Sequence, residues 1–260
     1  MEKREKIKFY FTKANKVAIP FILLSGVFFI ISLFGMFSSL TEDYSSNDLA
    51  IAVPMFLIFA TPFVAILIHN NNQNKKEALK PSDSQMDSWL EEDIQSIIIS
   101  RPYDKLGISK EDLVAESLLV VGPVYWNIGG FDVIDILMKK GKDGINRYSI
   151  WTIQVFAFTE NYLCSYKCHY NWIKNTYINE STNEFFYKDV VSVKTDTVSS
   201  AYTLMNGERL VHSEAFQLKL VGDEITIITN DASLNTSSVM VSKAEKAVQS
   251  IRAMLRDKKK

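Results

Sequence analysis

From Val17 to Phe37 the chain runs for 21 residues without a charged side chain, and after eleven intervening residues it does so again from Leu49 to Ile68. These two stretches restrict the possible folds more than anything else in the sequence. At helical rise, about 20 apolar residues cross the hydrocarbon core of a bilayer. Fourteen of the 21 residues in the first run are Leu, Ile, Phe or Val. Each favours insertion by roughly 0.3–0.6 kcal/mol near the centre of a helix, and no charge opposes them. Pro54 and Pro62 in the second run would break a helix in water but are tolerated in a span. The apolar region of a cleaved leader is shorter, roughly 7–15 residues. The expectation is a transmembrane hairpin over 17–68, with spans 17–37 and 49–68. Neither span holds a charge suited to a proton relay or ion path, and Gly26 and Gly35 are not at the spacing of a helix-dimer motif.

Charge sets the expected orientation. Lys3, Arg4, Lys6, Lys8, Lys13 and Lys16 precede the first run, and Lys75, Lys76 and Lys80 follow the second. The connecting segment 38–48 carries Glu42, Asp43 and Asp48 and no basic residue. The positive-inside rule puts both termini in the cytoplasm of a multi-pass protein of the inner (plasma) membrane. The basic, aromatic N-terminus 1–16 is expected along the inner leaflet, where anionic lipid attracts Lys and Arg, with charge that merely sets the orientation of the span as the equal alternative. The whole chain has a formal net charge of -1, divided into +3 up to Lys80 and -4 beyond it. A mildly acidic cytoplasmic part argues against nucleic acid as a partner. Two cysteines are too few for a disulfide scaffold.

Residues 69–84 are polar and read as a linker. A helical segment follows over 85–117. Ser88 and Glu91 have the spacing of a capping box, and Met86, Trp89, Leu90, Ile94, Ile97 and Ile98 recur on one helical face. The acidic run Glu91–Asp93 then falls in a first turn, where the helix dipole favours it. Ser109 and Asp112 open a shorter segment. From 118 the pattern becomes short β-branched and aromatic runs broken by turns, seven in all, with Gly222-Asp223 as a hairpin signal. Ser242 and Glu245 introduce a closing amphipathic helix. The segment 195–213 has no clear pattern. The fold class expected is a two-helix transmembrane hairpin plus a cytoplasmic α+β domain, an antiparallel sandwich or barrel over 118–260 closed by a C-terminal helix.

Three words in this region, "FAFTENYLCSY" (156–166), "EFFYKDVVSV" (184–193) and "FQLKLVGDEITII" (216–228) with the helix after it, resemble the membrane-anchored pleckstrin-homology-like domains of bacteria. The resemblance extends from Leu118 to Arg256. It implies recognition of protein or lipid rather than catalysis, with headgroup phosphates received by basic residues on the first long hairpin. Those residues here are Lys139, Lys140, Lys142 and Arg147. Arg supplies a bidentate fork and Lys a point charge; a solvated turn is the alternative. Trp151 and Trp172, in a dense aromatic stretch, are candidates for a partner surface, with core filling as the alternative.

The remaining chemistry is sparse. Cys164, Cys168 and His169 form a weak metal candidate. No second ligand pair completes a zinc site, and on a strand the two cysteines share one face while His169 takes the other. Asp132 and Asp135 fall on opposite faces if their segment is a strand. No nucleophile elbow, zincin, P-loop or dinucleotide motif is present. The functional expectation is a non-catalytic, membrane-anchored scaffold or sensing domain without cofactor, whose partners are membrane lipid and an unidentified membrane or cytoplasmic protein. An accessory subunit of a larger membrane complex, such as a transporter or secretion assembly, is the second reading, and a membrane-bound hydrolase the third.

Overall fold

The computed structural model describes residues 2–41, 46–124, 128–198, 202–203, 209–210, 213–231 and 238–258. The chain forms two compact units, one of 12–80 and one of 1–11 together with 81–260.

The 12–80 unit is a helical hairpin. Helix α2 spans Ile19–Thr41 and α3 spans Ser46–Ala78. Both are long and apolar enough to cross a membrane, over Ile19–Phe37 and from Val53 onward. Their apolar side chains are almost wholly uncovered by protein. The two helices meet through phenylalanines: Phe28 stacks on Phe59 at 5.4 Å, and Phe29 lies against Phe63 at 5.1 Å and Phe56 at 5.8 Å. Gly26 gives the Phe63 ring its room. Hydroxyls inside the apolar stretches are satisfied by their own helix, Ser25 donating to the Ile22 carbonyl, Ser32 to that of Phe29 and Thr61 to that of Leu57. Such internal pairing is what a water-free environment demands. The polar run after the second span is not a loop as expected. It continues α3 to Ala78, making a helix of 33 residues, about 50 Å at helical rise against a hydrocarbon core of about 30 Å. This extension holds the segment leading into α2: Asn70 bonds both the N–H and the carbonyl of Val17, and His69 meets the Asn15 carbonyl.

In the other unit, helix α1 covers Lys3–Phe11 and α4 covers Asp83–Leu106. The start of α4 lies upstream of the Ser88 box. Ser82, directly after Pro81, is the true N-cap and accepts from the Gln85 N–H at 3.2 Å. Gly107 ends the helix in the left-handed conformation that suits glycine. Glu91–Asp93 therefore lies in the third turn and not the first. The strands are β1 Leu118–Val124, β2 Met138–Lys140, β3 Asn146–Tyr148, β4 Ile150–Phe158, β5 Tyr162–Asn171, β6 Thr176–Phe186, β7 Val190–Val198, β8 Tyr202–Thr203, β9 Arg209–Leu210, β10 Ser213–Leu220 and β11 Glu224–Asp231. Helix α5 spans Ser238–Lys258, beginning four residues before the Ser242 box.

An antiparallel sheet in the order β1-β4-β5-β6 faces a second in the order β11-β10-β7. Between them lie Val120, Phe156, Phe158 and Leu163 from the first sheet, Val193, Phe216, Leu218 and Ile227 from the second, and Val248 and Ile251 from α5. Arg252 ties α5 to β7 by donating twice to the Val193 carbonyl. The other face of the first sheet is also buried. Ile153, Val155, Tyr166, Cys168 and Tyr170 pack against Met86, Leu90, Ile94 and Ile97 of α4 and against Ile7, Tyr10 and Phe11 of α1. With both faces covered, all nine residues of β4 are buried; this explains its near-continuous β-branched and aromatic composition, interrupted only by Gln154 and Ala157. The edge strand β6 is mostly exposed, and its polar first half did not register as a strand in the sequence. Of the expected strand over 131–140, only Met138–Lys140 forms; residues 133–135 make a 3-10 turn. The patternless 195–213 segment includes the end of β7 and the small β8–β9 pair; 199–201, 204–208 and 211–212 lie outside the described residues, as do residues 42–45 of the 38–48 connector.

Candidate functional site

The four basic residues proposed from sequence sit on and around the β2–β3 hairpin, where Gly141 N–H bonds the Ile145 carbonyl at 2.9 Å. The structure divides them. Arg147 points inward and is 4 % exposed. Its guanidinium reaches Asp87 at 2.7 Å, Asp143 at 2.7 Å and Asp83 at 3.8 Å. Burial alone would lower its pKa, but the hydrogen bonds it donates to Asp143 and Asp87 outweigh that and hold it above the ordinary arginine value. Asp143 is held down to about 2, chiefly by its hydrogen bond with Arg147. Lys139 also turns inward; its ammonium donates to the Tyr10 carbonyl at 3.0 Å and lies 4.0 Å from the centre of the Tyr10 ring. Lys140 and Lys142 alone are exposed.

These contacts make one polar knot. The Tyr10 hydroxyl donates to Asp83 at 2.6 Å, and the Lys142 backbone N–H donates to the other oxygen of Asp83 at 2.7 Å. Burial raises the Tyr10 pKa and the hydrogen bond to Asp83 raises it further. Burial also works against the Asp83 charge, yet bonds from Tyr10 and Lys142 leave its pKa below the ordinary value. Gly141 sits at the centre, where a Cβ would fall on the Arg147 guanidinium and crowd Asp143 and Asp83 unless those side-chain ends shifted. The knot thus joins the last turn of α1, the first turn of α4 and the hairpin turn. At the far end of α1, Arg4 reaches Asp93 at 2.6 Å and the Trp172 carbonyl at 3.1 Å, while Lys3 bonds Asp93 at 2.8 Å and Glu92 at 2.7 Å. Lys3 and Arg4 are thus seated on the domain, whereas the sequence placed them along a leaflet; Lys6 and Lys8 stay exposed. Nothing local announces this, because the partners lie about 90 and 168 residues away.

Trp151 and Trp172 are core residues, 2 % and 1 % exposed, which removes them from any partner surface in this conformation. The Trp151 indole donates to the Tyr148 carbonyl at 3.0 Å, and the Trp172 indole to Asp93 at 2.8 Å. Cys164 and Cys168 are free and buried, and burial pushes both thiols up to about 11. His169 lies on the opposite face of β5, edge-on to Phe131 at 6.3 Å and beside Asn179. Burial, aided by the charge of Lys167, lowers it to about 4. Among the described residues no group of three His, Cys, Asp or Glu is placed to hold a metal.

Two open cavities lie on the domain. One of about 510 Å³ is bordered by Glu111, Glu160, Tyr162, Cys164 and Glu184. The other, of about 390 Å³, brings Asp132 and Asp135 to a common rim with Asn171 and Lys174. In it Asp135 is already paired with Lys174 at 2.6 Å. A second ionic cluster, which sequence reading missed, lies on β6: Glu180 accepts from Arg101 at 2.7 Å and from the Tyr166 hydroxyl at 2.5 Å. The Arg101 bond leads in holding Glu180 near 2. An acidic residue on an otherwise polar edge strand gave no signal for it.

Comparison with protein-family models, with curated proteins and with solved structures finds no match for this chain.

Proposed function

We propose that this chain is a membrane-anchored, non-catalytic scaffold or sensing protein. In this reading α2 and α3 cross the inner membrane, and α1 with the 81–260 domain works at the cytoplasmic face through contact with protein or lipid. The observation that carries it is the shared core of α1 and α4. One helix precedes the first apolar span and the other follows the second, yet Ile7, Tyr10 and Phe11 pack with Met86, Leu90 and Ile94. A hairpin whose two ends meet in one folded unit has to leave and re-enter on the same side of a bilayer. The positive charges flanking both spans favour the cytoplasmic side.

The architecture that fits the domain is pleckstrin-homology-like: a four-strand sheet followed in sequence by a three-strand sheet and a final helix. Lipid contact narrows to Lys140 and Lys142, the two of the four basic residues that face solvent, while Lys139 and Arg147 serve to hold the hairpin.

Topology is the decisive test. Single cysteines at Glu5, Ser45 and Gln249, in a background lacking Cys164 and Cys168, are treated with an impermeant maleimide on intact cells. Labelling of Ser45→Cys alone, with the other two reached only after permeabilisation, is the expected result. Labelling of Glu5→Cys and Gln249→Cys on opposite sides, or recovery of the chain in the soluble fraction, overturns the reading.

A further inference from the structure

We propose that α1 exchanges between two seats, its place on the domain and the surface of an anionic bilayer, so that lipid charge sets the docked fraction. The inference rests on the bilayer reading above. The side chains that fix α1 to the domain are those a membrane surface would take. Ile7, Tyr10 and Phe11 supply the apolar face, and Lys3 and Arg4 supply charge to Glu92 and Asp93. An amphipathic basic helix ending in aromatics uses the same face for headgroup and acyl boundary. One face cannot serve both at once, so the two seats compete.

Three further features favour exchange over a permanent dock. Lys6 and Lys8 are exposed on the docked helix, leaving positive charge available to an anionic surface. The Lys3–Glu92 pair of the docked state reaches solvent, with the Glu92 side chain 70 % exposed and that of Lys3 31 %; such a pair is weak and screened by salt, whereas Asp93, 11 % exposed, is the firmer anchor. Residues 12–18 between α1 and α2 have no regular structure, and seven residues extend to at most about 25 Å. A span that begins at Ile19 therefore keeps α1 permanently within reach of the interface. The ligand that shifts the equilibrium is the anionic headgroup, because it meets Lys6 and Lys8 in either state but Lys3 and Arg4, together with the apolar face, only in the undocked one. Undocking removes Tyr10 from Asp83 and Lys139, and it uncovers Trp172 and the apolar side of α4. The state of the lipid is thereby passed to the β2–β3 hairpin.

The test uses the full chain in nanodiscs, spin-labelled at Glu5→Cys on α1 and Gln95→Cys on α4, with the buried native cysteines replaced. In phosphatidylcholine discs one short distance is expected. In discs of equal phosphatidylcholine and phosphatidylglycerol, a second, longer component is expected, and it should vanish when Lys6→Glu and Lys8→Glu are added. Identical distributions in the two lipids overturn the proposal, as does a long component that survives the charge reversal. Failure of the chain to enter discs at all, seen before any distance is measured, would instead fell the bilayer reading and the proposal with it.

Discussion

Replacing Arg147 by Met separates a structural from a ligand-binding role for this residue. Met keeps much of the apolar stem and removes the guanidinium. In the native fold that group is 5 % exposed and shared among Asp83, Asp87 and Asp143, whose side chains are 19 %, 56 % and 37 % exposed. Stranding a buried partner usually costs about 3–5 kcal/mol. Two of the three carboxylates reach water and can rehydrate, so the expected loss is smaller, about 2–3 kcal/mol, most of it from Asp83. Denaturant unfolding of the detergent-solubilised chain, followed by the fluorescence of buried Trp151 and Trp172, measures it. Adding Asp83→Asn should recover about 1 kcal/mol, since the stranded charge goes with it and contacting residues are not additive. The reasoning fails if Arg147→Met unfolds within about 0.5 kcal/mol of the parent while abolishing binding to anionic vesicles; Arg147 would then be a ligand residue.

Other expectations follow from neighbouring features. Gly141→Ala should cost about 1–3 kcal/mol through overpacking against the same guanidinium, and much less in an Arg147→Met background, as a double-mutant cycle would record. His169 is held neutral at about 4 against an ordinary value of 6.5. The unfolded chain therefore binds its proton first, and the stability it contributes is present above pH 6.5 and lost as pH falls toward 4. Discounted for a ring partly open to solvent, the loss is about 1–2 kcal/mol, and His169→Gln should flatten that part of the stability–pH curve. Cys164 and Cys168, buried and raised to about 11, should resist a thiol reagent at neutral pH until the chain is denatured. Four strand residues apart, they sit about 13 Å from each other, too far for a disulfide, so oxidant should leave their native-state mobility on a gel unchanged.

The apolar helices and most of the strands were legible because each is written locally. A charge-free run of span length and the alternation around Gly222-Asp223 need no partner to be recognised. The start of α4 was misread because Ser88 and Glu91 satisfy a capping pattern as well as Ser82 does, and only the preceding Pro81 favours the earlier start. The polar first half of β6 escaped notice because an edge strand with an exposed face carries no hydrophobic period. The candidate site was legible as a basic hairpin and no further. Which of its residues face solvent depends on Asp83, Asp87 and Tyr10, and their approach to Arg147 and Lys139 is decided by packing of α1 and α4 on the sheet. Trp151 and Trp172 were open to two readings because aromatic density looks the same in a core and at an interface.

The docking of α1 also imposes an order of events during synthesis. Arg4 finally rests against a carbonyl 168 residues downstream. At typical elongation rates of about 5–20 residues per second, that partner is made roughly 8–34 s later. For about the first half of that interval α4 is also unmade, and until its end the cradle is incomplete; whatever shelters Ile7, Tyr10 and Phe11 meanwhile acts as a chaperone for them.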